Sequence, residues 1–352
     1  MQAYERLENL FEEWAQVDNA VACSSGTSAI QLAIEALQLP KGSTVLIPEF
    51  CMIAIPRAVK MAGLQVKTID IELKRLNIDP ELLPDQITNY QEPASDMEYN
   101  LPQSPYQNVS AIIVVSTYGR AANSLVFDWA NLHNIPVIED LAEAHGVHPD
   151  YRSAAYCWSF YKNKIICGEE GGLVAFKEKE VADRARSLRC MGFNSEHDFL
   201  HRPGGFNARM SNAHAEIILQ SLAQADNNLK KREDMVDLYA SLISQEFWMT
   251  ERDVNWVYDI QFPHGHRLRN RAEDMAVAMR VCGARMSFKP VTRQLEFLAK
   301  SPRLGMKEPL WTWTEAHTAS QNVFYLPLTP NQYAFDEVET AAKLFNRLVN
   351  TL

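Results

Sequence analysis

The chain has 352 residues, 47% of them hydrophobic, enough to bury a large core and to form two domains more naturally than one. Its formal charge of −10 speaks against a general nucleic-acid or anionic-membrane surface, although local basic residues can still hold a small anion. Six cysteines without CxxC or zinc spacing make a reducing cytoplasm the simplest setting. No basic-then-apolar leader and no apolar run of membrane-spanning length is visible, and the closest histidine cluster, His264-Gly265-His266, reads as surface rather than as a metal site.

After Cys23-Ser24-Ser25-Gly26-Thr27-Ser28, the apolar residues Ile30, Ala33, Ile34 and Leu37 recur at helical spacing, so an amphipathic helix is predicted there. Strands are predicted over 45–47, 66–69, 111–115, 135–138 and 173–176, alternating with helical segments, the pattern of a mainly parallel sheet. A polar insertion with three prolines, 89–108, reads as a disordered segment or surface flap, or else as a lid over the active site. One long helical stretch is expected over 213–245. An α+β tail follows, with strands over 256–262, 285–288 and 323–326 and helices over 272–282 and 335–352. The final helix puts Val338, Ala342, Phe345 and Val349 on one stripe, so it is expected to pack rather than bind a partner. The predicted division is a large domain over 1–230 and a small one over 231–352.

Three motifs carry chemistry. Lys164 follows an apolar lead-in and Asn163, and precedes Gly168-Glu169-Glu170-Gly171-Gly172, so it can be desolvated and serve as an amine nucleophile. Lys162 competes for that role. Asp140 ends an apolar strand, where open α/β sheets gather their ligands, or else caps a helix. Gly26 and Thr27 open a helix whose free N–H groups and dipole suit an anion.

Taken together and in order, these motifs resemble the DegT/StrS family of fold-type I pyridoxal-phosphate enzymes, the sugar aminotransferases. Further matches are Pro48-Glu49-Phe50, Tyr118-Gly119, Val137 through Gly146, Ser159-Phe160 through Gly172, Gly205 through Ser211 and Tyr325-Leu326-Pro327-Leu328. The resemblance implies an α/β fold with helices on both faces of the sheet and a smaller α+β domain. It implies that Lys164 is the Schiff-base lysine and moves a proton, that Asp140 pairs with the ring nitrogen, and that Glu143 stands near the cofactor's phenolic oxygen. Gly26, Thr27 and Ser159 would hold the phosphate, Met52 would stand where the family stacks an aromatic ring, and Asn207 would reach the phosphate of a neighbouring subunit in a homodimer. Arg209 is expected to contact substrate or the other subunit; Arg57, Arg120, Lys162 and Arg293 complete a basic set that could face an anionic substrate.

The chain begins at Met1 within what looks like the family's first helix, without its Ser-Gly-Trp-type leading segment. The cofactor site is therefore expected to follow the family more closely than the sugar-nucleotide site. The implied activity is transfer of an amino group from an amino acid, glutamate by resemblance, to a ketone on a sugar-like substrate. A keto-cyclitol acceptor, a sugar dehydratase and a non-catalytic regulatory protein are the alternatives. The dehydratase branch replaces the lysine by histidine, so Lys164 argues against it.

Overall fold

Seven strands make one sheet whose central members are apolar on both faces, and this requirement sets the layering. The computed structural model describes residues 1–84, 108–193, 199–249, 252–294, 314–330 and 334–351. The chain runs through α1 (Ala3–Ala15), β1 (Val21–Cys23), α2 (Gly26–Ala36), β2 (Thr44–Pro48), α3 (Ala54–Met61), β3 (Gln65–Ile69), and a short hairpin of β4 (Ile71–Glu72) and β5 (Asn77–Ile78). β6 (Val109–Val115), α4 (Ser124–Leu132), β7 (Val137–Asp140), β8 (Ala155–Ser159), β9 (Gly172–Phe176), α5 (Lys179–Leu188), α6 (Asn212–Leu222) and α7 (Ala225–Leu242) follow. The sheet order is β1-β9-β8-β7-β6-β2-β3. β3, β2, β6, β7 and β8 run parallel, and β9 is antiparallel to both of its neighbours.

Alternation along each strand divides its side chains between two cores. On β8, Ala155 and Cys157 pack with Ile30 and Ala33 of α2, while Tyr156 and Trp158 pack with Phe11 of α1 and Ile218 of α6. The expected mixed α/β architecture is thus present. The sheet also contains β1 and β8, which the sequence reading did not single out as strands. The expected stretch 213–245 is two helices, because Gln224 leaves helical geometry at φ −107° and ψ 7°. The insertion 89–108 lies outside the described residues except for Asn108.

A smaller antiparallel sheet, in the order β10-β12-β11, is formed by β10 (Val257–Gln261), β11 (Arg285–Met286) and β12 (Val323–Pro327). It packs with α8 (Ala272–Ala278), the C-terminal helix Ala334–Thr351 and the distal half of α7. Val338, Ala342 and Phe345 of that last helix are buried in this core. Ala225 of α7 belongs to the large core and Met235 and Tyr239 to the small one, so residue 230 falls inside a helix that serves both.

A buried ion cluster ties the two regions together. The Arg120 guanidinium lies 2.8 Å from Asp259 Oδ2 with both side chains fully buried, and Arg252 Nε donates to Asp259 Oδ1 at 2.6 Å. Arg120 therefore does not face a substrate, as the sequence reading allowed; it is a structural partner of β10. Its neighbour Gly119, at φ +83°, packs where a Cβ would come within 1.9 Å of the Val254 carbonyl oxygen, so a side chain is excluded there. Replacing Asp259 by Ala leaves two buried arginines without their shared carboxylate, and should cost about 3–5 kcal/mol of stability. Denaturant unfolding of D259A checks this; a loss below about 1 kcal/mol would show that solvent or another acid neutralises the pair.

Candidate active site

The site gathers at the carboxyl ends of β7 and β8, beside the N-terminus of α2. Gly172 explains the convergence, because it pairs with Ser159 on one side and with Cys23 on the other. A Cβ at Gly172 would come within 2.2 Å of the Ser25 carbonyl oxygen, and one at Gly26 would come within 2.7 Å of Ser159 Cβ. Only glycines let the three segments approach this closely. Ser25 caps α2 by accepting from the Ser28 N–H at 3.1 Å, and the Ala29 N–H bonds to the Ser25 carbonyl at 3.0 Å. The N–H groups of Gly26 and Thr27 have no partner among the described residues. Ser159 Oγ accepts from the Tyr161 N–H at 3.3 Å, which leaves its own hydrogen to donate.

Asp140 is buried, and its Oδ1 accepts from the Ala142 N–H at 3.0 Å. Residues 141–145 form turns, so the alternative reading of Asp140 as a helix cap falls: there is no helix to cap. Burial pushes its carboxyl up, against the Ala142 hydrogen bond and the charge of Lys164. The Lys164 Nζ stands 3.6 Å from Glu143 Oε1, with side-chain exposures of 11% and 9%. Glu143 Oε2 accepts from the Tyr118 N–H at 3.1 Å. Burial pushes the Glu143 carboxyl up to about 7, opposed by Lys164 and by the Tyr118 hydrogen bond. Three expected residues, Asp140, Glu143 and Lys164, are thus electrostatically coupled.

Two residues at the site were not foreseen. Trp256, at the threshold of β10, places its ring 4.3 Å from Lys164 Nζ and donates from Nε1 to the Asn163 carbonyl at 2.9 Å. His145 Nδ1 accepts from the Ile166 N–H at 3.0 Å and so holds the far end of the turn that carries Lys164. Burial pushes the His145 imidazole down to about 3, so it is neutral with its proton on Nε2. His145 lies in a motif already read, five residues beyond Asp140; nothing local in the sequence links Trp256 to Lys164.

Other expected residues lie at the rim. Met52 is 50% exposed, and its sulfur accepts from the Ala54 N–H at 3.2 Å at the start of α3. Asn207 and Arg209 are exposed on a segment that bridges to Cys190 and Cys23, with the Ala208 carbonyl accepting from the Ser24 N–H at 2.8 Å. The pair therefore borders the N-terminus of α2. Arg209 donates to Cys190 Sγ at 3.2 Å. Arg57, Lys162 and Arg293 are exposed. Among the described residues, no group of His, Cys, Asp and Glu side chains is placed to hold a metal, and no helix is long and apolar enough to cross a membrane.

This fold and site define a fold-type I pyridoxal-phosphate-dependent enzyme class. The chain belongs to the DegT/DnrJ/EryC1/StrS aminotransferase family, whose model matches residues 2–341. A GDP-perosamine synthase of Caulobacter vibrioides is 30% identical over 274 residues, covering 73% of this chain and 68% of that protein. The Escherichia coli O157:H7 GDP-perosamine synthase is 29% identical, and there the match spans 63% of the relative's length. A pleiotropic regulatory protein of Geobacillus stearothermophilus is 24% identical over 92% of this chain and 84% of that protein. Among solved structures, NtdA of Bacillus subtilis with bound PMP superposes with a TM-score of 0.80 at 20% identity, over 100% of this chain and 78% of that one. This last likeness is one of fold.

The residues present fit pyridoxal phosphate. Two free N–H groups at a helix start and an adjacent hydroxyl suit its phosphate. A buried carboxylate on the neighbouring strand end suits a protonated ring nitrogen, and a nearly buried lysine is available for its aldehyde.

Beside Asp140, Glu139 is buried; its Oε1 accepts from the Asp150 N–H at 2.9 Å and from the Ser153 hydroxyl at 2.7 Å. Burial pushes it up from 4.5 to about 8. Between those values the folded chain keeps a proton that the unfolded chain has lost, so its contribution falls as pH rises through that window. Glu139→Gln should therefore gain stability relative to wild type as pH is raised from 5 to 8. Paired melting curves at several pH values read the difference; one that does not change with pH would contradict the assignment.

Proposed function

We propose that this chain is a pyridoxal-phosphate-dependent aminotransferase that moves an amino group from glutamate to a keto group on a nucleotide-linked keto-deoxysugar. The observation that carries the reading is Lys164 Nζ beside Glu143, with Asp140 on the same strand end and the open N–H groups of α2 bordering Ser159. The 30% identity to a GDP-perosamine synthase supports the sugar-nucleotide acceptor. A regulatory role has one observation behind it, the wide match to the pleiotropic regulatory protein. The intact set of Lys164, Asp140 and Glu143 favours catalysis.

When bound, the cofactor supplies an electron sink for the electrons of a broken C–H bond. The chain's own residues do the rest. The N–H groups of Gly26 and Thr27 and the Ser159 hydroxyl would hold the cofactor's phosphate, and Asp140 would keep its ring nitrogen protonated. Lys164 Nζ takes a proton from the donor substrate and returns one to the acceptor. Glu143, with a carboxyl held at about 7, can hold the proton that Nζ gives up at neutral pH. The Trp256 ring, 4.3 Å from Nζ, covers the lysine against water. By resemblance to the family, Asn207, which is exposed, would reach the phosphate held by a second copy, and the working unit would be a homodimer with shared sites.

Borohydride reduction of protein loaded with pyridoxal phosphate, followed by peptide mapping, should place the label on Lys164. Label on Lys162, or on neither lysine, would sink the assignment. Asn207→Ala should weaken cofactor retention while the cofactor-free chain melts as wild type does; a wild-type monomer in sedimentation that still holds cofactor fully would end the shared-site reading. A screen of keto-sugar nucleotides and keto-cyclitols with glutamate decides the acceptor, and turnover of cyclitols alone would overturn the nucleotide-linked class.

A further inference from the structure

The Lys164 amine lies between two residues distant from it in sequence, Glu143 and Trp256. The Trp256 ring lies 4.3 Å from its Nζ, and the Trp256 Nε1 donates to the carbonyl of the adjacent Asn163 at 2.9 Å. Trp256 is itself 3% exposed, and its carbonyl accepts from Arg232 NH1 of α7 at 2.6 Å. Arg232 is 4% exposed, and no carboxylate pairs with it among the described residues. Next to Trp256 in sequence, the Asp253 and Val254 N–H groups both bond to the Gly119 carbonyl at 3.0 Å, while the following residue, Arg120, is clamped to Asp259. The indole is therefore fixed at both its backbone and its ring nitrogen.

A ring face close to an ammonium stabilises its charge, and more so where water is excluded. A transferring lysine is alternately engaged and released, and when released its charged amine needs a defined place to stand. Glu143 alone offers a carboxylate that burial has pushed toward the neutral form.

The geometry points to Trp256 as a positioning residue for Lys164: its ring receives the free Lys164 ammonium and its Nε1 sets the turn that carries it, with Arg232 holding the Trp256 main chain at its carbonyl. The importance of the cradle for catalysis rests on the reading of Lys164 as the cofactor lysine; the cradle itself can be read without cofactor.

The test uses the full chain freed of cofactor, treated with an amine-acylating ester and mapped by peptide mass, with exposed Lys162 as the internal control. Near neutral pH, Trp256→Leu should raise acylation of Lys164 about fivefold over wild type, the equivalent of about 1 kcal/mol of lost ring contact. Trp256→Phe, which keeps a weaker ring and is the variant to rely on if Leu does not fold, should raise it by about twofold. Both differences should close as the pH is raised until the amine is neutral in every variant. Equal rates in all three proteins would overturn the proposal, and so would a difference that persists at high pH, which would mean that Trp256 only shields Lys164 sterically. Borohydride labelling separates the two readings: protection of Lys164 by Trp256 in a chain that takes no cofactor would sink the proposed function and leave this inference standing.

Discussion

The reversed strand β9 is the constraint on which the site depends. A βαβ sheet would carry the chain away from β8 by a crossover, but here β9 returns antiparallel and its first residue, Gly172, is shared between β8 and β1. Backbone meets backbone at that point, with no room for a side chain. The start of α2 is thereby pressed against the end of β8, and a helix dipole and a hydroxyl come to face one space. Any residue larger than glycine at Gly172 would separate them.

Electrostatics at the site follow from that packing. Glu139, Asp140 and Glu143 lie within five residues and all are buried, so each carboxyl is pushed upward. They differ in what answers the burial. Glu139 is answered chiefly by donors from Ser153 and Asp150, with the charges of Asp150 and Arg152 opposing each other, whereas Asp140 and Glu143 feel Lys164. Glu143 consequently titrates near neutrality beside the amine with which it would exchange a proton, which is the condition under which a carboxyl serves as acid and base in one cycle. On the other side, Trp256 brings the small sheet into the site, and the Arg120 and Asp259 pair holds that sheet in place.

Much of this was legible in the sequence because it is local. The β-branched runs of β2 and β6, the apolar run of β9 and the alternation with helices gave away the sheet, and the order of Ser-Gly-Thr, Asp140 and Lys164 carried the family. β8 is hard to see in Ala-Tyr-Cys-Trp-Ser because it has no β-branched residue and is buried on both faces, so it lacks the apolar–polar alternation of a half-exposed strand. The helix break at Gln224 has no Gly or Pro to announce it. Arg120 was read as a possible substrate contact because its partner, Asp259, is remote in sequence, and Trp256 was missed for the same reason. What pattern reading could not reach was the pairing of charges and rings across the two sheets.

The central claim is that Asp140, Lys164 and the start of α2 surround one cofactor. A crystal structure of the chain grown with pyridoxamine phosphate tests it most directly. The account predicts the ring nitrogen within hydrogen-bond distance of the Asp140 carboxylate, the phosphate on the Gly26 and Thr27 N–H groups and Ser159 Oγ, and the freed Lys164 amine against Trp256. A ring bound elsewhere, with Asp140 bonded only to the Ala142 N–H, would contradict it.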